Sequence, residues 1–389
     1  MEKFKNNITM KKIFFRLTVI LYVVVLSFSV VSCLENDVET IILRNGKISE
    51  IPSDDWADPN PEIGNSNTDI PNPNFVLEYE DEDPVVRVDM TGIRDNDKDE
   101  WLKLFGTGYN QNIWVEVDNK PKGILVYNNS DDESNIAIKI DLVFLVDNSG
   151  SMSEEADAIA RDIISWAEKL RSSGLDIKFG CVGYDGLITG ALNLTTVTEL
   201  SNYLNRTSGT KRTVGFVGSD ADRLKNAKYS YDLSSQDECG GAALRYADEQ
   251  FTFRTGANRI YVNFTDEPNF PKGKDRFSVE SFKDSELWSA SQGTVHTVFS
   301  SSKSSCGKEY PWKLSEYTGG TIIETTSSFA NVSLESLPVT GAMQNSYIIK
   351  FANVAEFMDG KPHLVKITVL SEDGLVRAER TFSVLFGKK

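Results

Sequence analysis

The sequence predicts an α/β protein in which an open, mostly parallel sheet is inserted into a smaller antiparallel β-sandwich. Three observations point there. Between residues 138 and 328, continuous apolar runs such as "KIDLVFLVD" and "NRIYVNFTD" alternate with helical patterns, the signature of a parallel sheet buried on both faces. Short runs with period-two alternation stand on either side of this stretch. Neither flanking set holds enough strands for an independent fold, so the economical arrangement joins the two into one sandwich.

Taken in order, residues 1–33 come first. Lys11, Lys12 and Arg16 precede the apolar run "LTVILYVVVLSFSVV", which ends at Ser32-Cys33. A basic region, an apolar core and small residues before a cleavage point read as a secretory signal. The run is also nearly long enough for a signal anchor. "VVSC" favours cleavage, because it resembles the lipobox of bacterial lipoproteins, in which Cys33 would carry the lipid. Residues 34–83 are rich in Asn, Asp and Pro and read as a flexible linker from that lipid. Residues 84–137 carry "PVVRVDM", "EWLKLFG", "NIWVEV" and "GILVYN", the first half of the sandwich. Residues 329–389 carry "NSYIIKFANV", "HLVKITVLS" and "VRAERTFSVLF", which would complete it.

Within residues 138–328, "EEADAIARDIISWAEKL" places Ile159, Ile163, Trp166 and Leu170 on one helical face. "LDIKFGCVGY" and "ALNLTTV" read as a strand pair, "GGAALRYADEQF" as a helix, and "GTVHTVFS", "PWKLSEYTG" and "GTIIET" as strand, helix and strand. The long connection 207–235 holds five basic residues, Phe216, Tyr229 and Tyr231, and reads as either a solvated insertion or a specificity loop.

The chain has 41 basic and 57 acidic residues; removing residues 1–32 takes away five basic residues and one acid, leaving 36 against 56 and a net charge of −20. A surface this acidic excludes nucleic acid as a partner, since phosphates require a basic footprint. Beyond Cys33 there are Cys181, Cys239 and Cys306. A single bridge would pair Cys239 with Cys306, both in predicted loops, whereas Cys181 falls in a strand. His296 and His363 lie in strand-like stretches and read as packed or solvent-facing residues. With no GxSxG, no glycine-rich phosphate loop and no histidine placed to shuttle protons, the expectation is a protein that is not an enzyme.

Ligand sites in open α/β sheets gather at the carboxyl ends of the strands. Three segments put oxygen ligands there: Asp147, Ser149 and Ser151 after "DLVFLV", Asp266 after "RIYVNFT", and Asp237 and Glu238 before "GGAAL". A tight loop can aim alternate short side chains into one concavity. Oxygen-only donors suit Mg²⁺, or Mn²⁺ or Ca²⁺. A helix N-cap would explain one of these serines, but not three alternating oxygens together with two distant acids.

DxSxS directly after an apolar strand, with a later strand ending in Asp, resembles the von Willebrand factor type A (vWA) domain, itself a Rossmann-like fold, over about half the chain. The resemblance implies a metal-ion-dependent adhesion site at Asp147, Ser149, Ser151, Glu238 and Asp266, with Asp237 as an alternative to Glu238. "DECGGAAL" is similar to the integrin β version, in which a loop glutamate stands shortly before a glycine-containing helix start. Glu154 and Glu155 fall where that version places acids for a second metal, although an acidic first helical turn explains them equally well. The function this implies is metal-dependent binding or adhesion at the cell envelope, with the outer membrane and the cell surface as the expected place. The partner would be an extracellular protein or glycan bearing a carboxylate, and the N-terminal lipid would hold the protein to the membrane. A structural subunit of a filament or secretion-linked assembly is the alternative.

Overall fold

The computed structural model describes residues 50–80, 82–95, 97–98, 100–128, 139–172, 175–205, 216–233, 237–283, 287–300, 309–325 and 338–387. The lipobox with Cys33 lies outside them. Period-two segments and continuous apolar runs separate into different sheets.

The flanking strands are β1 (Asn74–Glu80), β2 (Asp83–Met90), the short pair β3 (Arg94–Asp95) and β4 (Glu100–Trp101), β5 (Ile113–Val117), β6 (Lys120–Pro121) and β7 (Ile124–Asn128). The middle segment then supplies β8 (Lys139–Asp147), β9 (Asp176–Tyr184), β10 (Ile188–Thr195), β11 (Gly218–Ser219), β12 (Asn258–Thr265), β13 (Thr294–Phe299) and β14 (Ile322–Glu324). Finally come β15 (Tyr347–Phe351), β16 (Pro362–Leu370) and β17 (Arg377–Leu385).

Two four-stranded antiparallel sheets form from the flanks, in the orders β1-β2-β15-β7 and β17-β16-β5-β6. Each therefore mixes strands from before and after the middle segment. Val86, Val88, Ile349 and Phe351 of the first sheet share one core with Val115, Val117, Val365, Ile367 and Phe382 of the second. The other face of the first sheet is buried as well. Arg87 makes a bidentate pair with Asp89 (2.6 and 2.8 Å) there, and the wholly buried ammonium of Lys350 lies 3.0 Å from Glu80 and 3.5 Å from Glu78. Buried charges persist in such a place only when paired.

The middle segment forms a seven-stranded sheet, β11-β10-β9-β8-β12-β13-β14, in which β8, β9, β12, β13 and β14 run parallel and β9 meets β10 antiparallel. β8 is at its centre and is almost wholly buried, which its unbroken apolar run requires. The helices are α1 (Ser153–Ser172), α2 (Val197–Leu204), α3 (Asp222–Ala227), α4 (Gly240–Gln250), α5 (Lys313–Thr318) and α6 (Pro338–Gln344). The α1 stripe of Ile159, Ile163, Trp166 and Leu170 is buried, with Trp166 tilted against Phe144 of β8 at 5.7 Å. A Thr196–Glu199 capping box starts α2.

Four expectations are corrected. The linker 34–83 is not a free tether over its described residues, 50–80 and 82–83. β1 begins inside it at Asn74, and the stretch before that is laced to the sandwich. Asn60 donates to Glu116 from its backbone (3.0 Å) and to Thr368 from its side chain (2.8 Å), and the backbone amide of Asn67 donates to Arg377 O at 2.9 Å. The Asn-rich composition satisfies strand edges here instead of solvating a linker. "EWLKLFG" contributes only the two residues of β4 to a strand. The connection 207–235 contains β11, α3 and a 3₁₀ turn, Lys228–Tyr231, within its described part. Phe216 and Tyr231 are core residues, Tyr231 against Tyr246 and Phe277, which leaves Tyr229 as the exposed aromatic of the three. The expected Cys239–Cys306 bridge is not made. Cys239 is a free, buried thiol that donates to Asn269 Oδ1 at 3.1 Å, and Cys306 lies outside the described residues. Burial pushes the Cys239 thiol up to about 12.

Candidate functional site

Asp147 is the last residue of β8, and its neighbour β12 ends at Thr265, so both strands deliver their next residues to the carboxyl edge of the sheet. The turn after β8 is fixed by Asn148 N–H donating to Tyr184 O (2.6 Å). That turn brings the alternate oxygens to one side. Ser149 N–H donates to Asp147 Oδ1 (2.9 Å), Ser149 and Ser151 hydroxyls meet at 2.9 Å, and Ser151 donates to Asp266 Oδ1 at 3.2 Å. Thr265 donates to the other oxygen of Asp147 at 2.9 Å. These hydrogen bonds lead from the fully buried Asp147 to the exposed Ser151.

Glu238 reaches the same edge from the loop before α4. Phe270 N–H holds that loop through Glu238 O (2.9 Å), and Asn269 Oδ1 accepts from Gly241 N–H (2.8 Å) in the first turn of α4. Gly241 is required here, because a Cβ would stand 2.2 Å from Phe277 O. At Gly240 a Cβ would lie 3.0 Å from Asn263 Nδ2.

The carboxylates feel one another. Burial, and then the negative charges of Glu238 and Asp266, push Asp147 up to about 8 against the hydrogen bonds from Ser149. Burial, and then Glu267, Asp185 and Asp266, push Glu238 up to about 7. Asp266 is raised by burial and by Glu155, although Ser151 opposes this. Acids this crowded invite a counter-charge. Ser149, Ser151, Asp266 and Glu238 could hold a hard cation, with Asp147 behind them. Among the described residues no group of three or more His, Cys, Asp or Glu side chains is placed to hold a metal ion by itself, so a cation here would depend on the serine hydroxyls.

The remaining predicted residues separate. Asp237 pairs with Lys272, and its charge helps raise Glu267. Glu155 is close enough to act on Asp266, and Glu154 lies in α1 with its side chain outside the described residues. Sequence reasoning missed Thr265, Asn263 and Tyr184. The Tyr184 hydroxyl donates to Asn263 Oδ1 (2.8 Å) beneath the site, and Asn263 Nδ2 is buried without a partner. The signal for Asn263 and Thr265 was the interruption of an apolar strand, "YVNFTD", by two polar residues.

The carboxyl edge of a central, mostly parallel sheet thus gathers DxSxS and the aspartate of the next strand. The middle segment resembles a von Willebrand factor type A domain. No family model and no curated protein matches the chain. Among solved structures, the chain is similar to an aerotolerance-related membrane protein from Bacteroides fragilis with multiple mutations to serines, at 16% identity over 52% of this chain and 98% of that one (TM-score 0.34). It is similar to the conserved hypothetical protein BatB from Bacteroides thetaiotaomicron, at 15% identity over 49% and 92% (TM-score 0.31). A von Willebrand factor type A protein from Catenulispora acidiphila shares 12% identity over 83% and 75% (TM-score 0.34). Among the described residues no helix is long and apolar enough to cross a membrane.

Proposed function

We propose a surface-tethered, divalent-cation-dependent binding protein that engages an acidic group of an extracellular protein or glycan at the carboxyl edge of its seven-stranded sheet. The observation that carries this reading is the hydrogen-bonded run from Asp147 through the Ser149 amide, and from the Ser149 hydroxyl through Ser151 to Asp266. Mg²⁺, or Mn²⁺ or Ca²⁺, would supply a position that accepts a carboxylate oxygen from the partner. The chain's own residues do the positioning. Asp147 orients the serine loop through the Ser149 amide, Thr265 fixes the orientation of Asp147, and Glu238 adds charge from the α4 side. With two hydroxyls and few direct carboxylates, the ion would keep enough charge to favour an acidic ligand. The sequence "VVSC" supports a lipid on Cys33, and with it a place in the cell envelope at the outer membrane. The sequence motifs favour binding over catalysis.

The test begins with the ion alone. Mg²⁺ or Mn²⁺ titrated calorimetrically into EDTA-stripped protein is expected to bind at one site per chain, and Asp147→Ala is expected to abolish that binding. Arrays of glycans and matrix proteins, probed with and without Mg²⁺, then look for the partner. Partner capture that survives EDTA in a correctly folded protein would sink the reading.

A further inference from the structure

An open groove lies on the sandwich, with no residue of the α/β segment in its lining. Its volume is about 720 Å³, within the roughly 300–1,000 Å³ usual for ligand sites. Ile51, Pro52 and Trp56 line it from the segment before β1, and Thr107 and Gln111 from the loop after β4. Both walls are pinned to one corner, Gly123-Ile124. Asp54 accepts the Gly123 N–H at 2.9 Å, and Thr107 exchanges two bonds with Ile124, each of 3.0 Å. Gly123 is needed for this, because a Cβ would stand 1.9 Å from Pro52 O. The groove is therefore formed before any ligand arrives, which lowers the cost of binding.

Trp56 is the unusual member. It ends the 3₁₀ turn Asp54–Trp56, which Ser53 caps, yet it is 79% exposed. Among the described residues its indole has no ring, cation or hydrogen-bond partner. Tryptophan is highly buried on average and is concentrated at interfaces. Tyr109, next to Gly108 of the lining, is fully exposed as well.

The charges select the ligand. Glu50 and Asp58, both exposed, are the charged residues of the lining, and it contains no base. Asp55 adds a third exposed acid on the Trp56 turn. The bases on the neighbouring elements are engaged or outside. Lys122 is held by Asp54 (2.5 Å) and Lys120 by Glu356 (2.6 Å), both over the Phe357 ring, and Lys103 of the facing loop is not in the lining. An exposed indole among unbalanced carboxylates suits a cation, and a guanidinium can both stack on the ring and fork to a carboxylate. Anionic lipid headgroups are disfavoured by the same acids. The groove is too open to enclose a small free amine, and Ser53, Thr107 and Gln111 offer neutral polar groups to a peptide backbone. We propose that this groove docks an extended, arginine-bearing segment of a partner protein, with the guanidinium on the Trp56 indole and Glu50 and Asp58 as its counter-charges. The surface is independent of the cation-dependent reading above.

The test is NMR on the whole chain, labelled with ¹⁵N, in EDTA and low salt. The probe is acetyl-Gly-Arg-Gly-amide at millimolar concentration, and its uncharged control carries citrulline in place of arginine. Of the six tryptophan indole signals, that of Trp56 is assigned by its absence in Trp56→Ala. The arginine peptide is expected to shift it saturably, and the citrulline peptide to leave it in place. Trp56→Ala is expected to weaken the peptide about fivefold, read from its own line broadening, the scale of one exposed cation–π contact. Asp58→Asn is expected to weaken it about threefold. Both residues are exposed, so the melting temperature should be kept in both variants. Equal shifts from the two peptides, or shifts spread over the acidic surface with the Trp56 signal unmoved, would overturn the proposal. So would a stronger response to choline, to methyl glucoside or to phosphatidylcholine vesicles, or a shift that follows protein concentration alone, which would seat a second copy in the groove.

Discussion

Thr265 shows how much of a site depends on a residue that need not touch the ligand. Its hydroxyl is given to Asp147, and it also accepts the Glu267 N–H at 3.1 Å, so it ties two turns together. Outer partners of this kind typically matter about 10–100-fold in metal affinity. Thr265→Val is accordingly expected to weaken Mg²⁺ by about that factor while the protein stays folded, as calorimetry and circular dichroism would show. The two histidines make opposite predictions about pH. His363 is bonded to Asp118 (2.7 Å) and Asp359 (3.1 Å), and these carboxylates, Asp118 first, raise its pKa. The stability it contributes is present below the unfolded value near 6.5 and is lost as pH rises through the folded pKa. His296 is depressed to about 3 by burial, so its contribution is present above 6.5 and is lost as pH falls from there towards 3. NMR titration should show His363 protonating above the usual histidine value while His296 stays neutral at pH 5. Asp147, Ser149, Ser151 and Asp266 were legible in the sequence because each stands at or just after a strand end in a short polar run. Thr265 and Asn263 were not, because a strand pattern alone does not say which polar residue inside it faces a site.

α4 shows the same logic at the scale of an element. Its N-terminus can sit against Asn263 of β12, Tyr184 of β9 and the backbone of Phe277 only because Gly240 and Gly241 carry no side chains, and Asn269 pins the turn. Gly241→Ala would push a Cβ into Phe277 O. It is expected to cost about 1–3 kcal/mol in urea unfolding, the usual penalty of overpacking, and to displace Glu238 with it. On the opposite side of β8, Trp166→Ala is expected to cost about 3–5 kcal/mol through lost packing against Phe144, measured the same way. Helices such as α1 and α4 were readable from periodicity and buried strands such as β8 from unbroken apolar runs. The segment containing α3 was not, since Phe216 and Tyr231 look the same in a sequence whether they face solvent or the core.

The whole molecule depends on one strand placed out of order. β15 lies between β2 and β7, so the first sandwich sheet has no centre until residues after the α/β segment arrive. A chain ending after Thr325 would leave β2 and β7 without their shared neighbour. Loss of slow amide exchange throughout both flanking sheets is the expected result, measured by hydrogen exchange. That the flanks pair with each other was legible from the small number of strands in each half. The lacing of residues 50–73 was not, because asparagines that bridge strand edges have the composition of a linker. The strand order also has a consequence for the nascent chain. The edges of β2 and β7 that pair with β15 stay open while the roughly 200 residues that follow are made, and open edges of this kind template mispairing between chains. An early-folding α/β unit would bring the two ends of the gap together and shorten that exposure. The inserted domain would then act as a folding aid for its host as well as the bearer of the site.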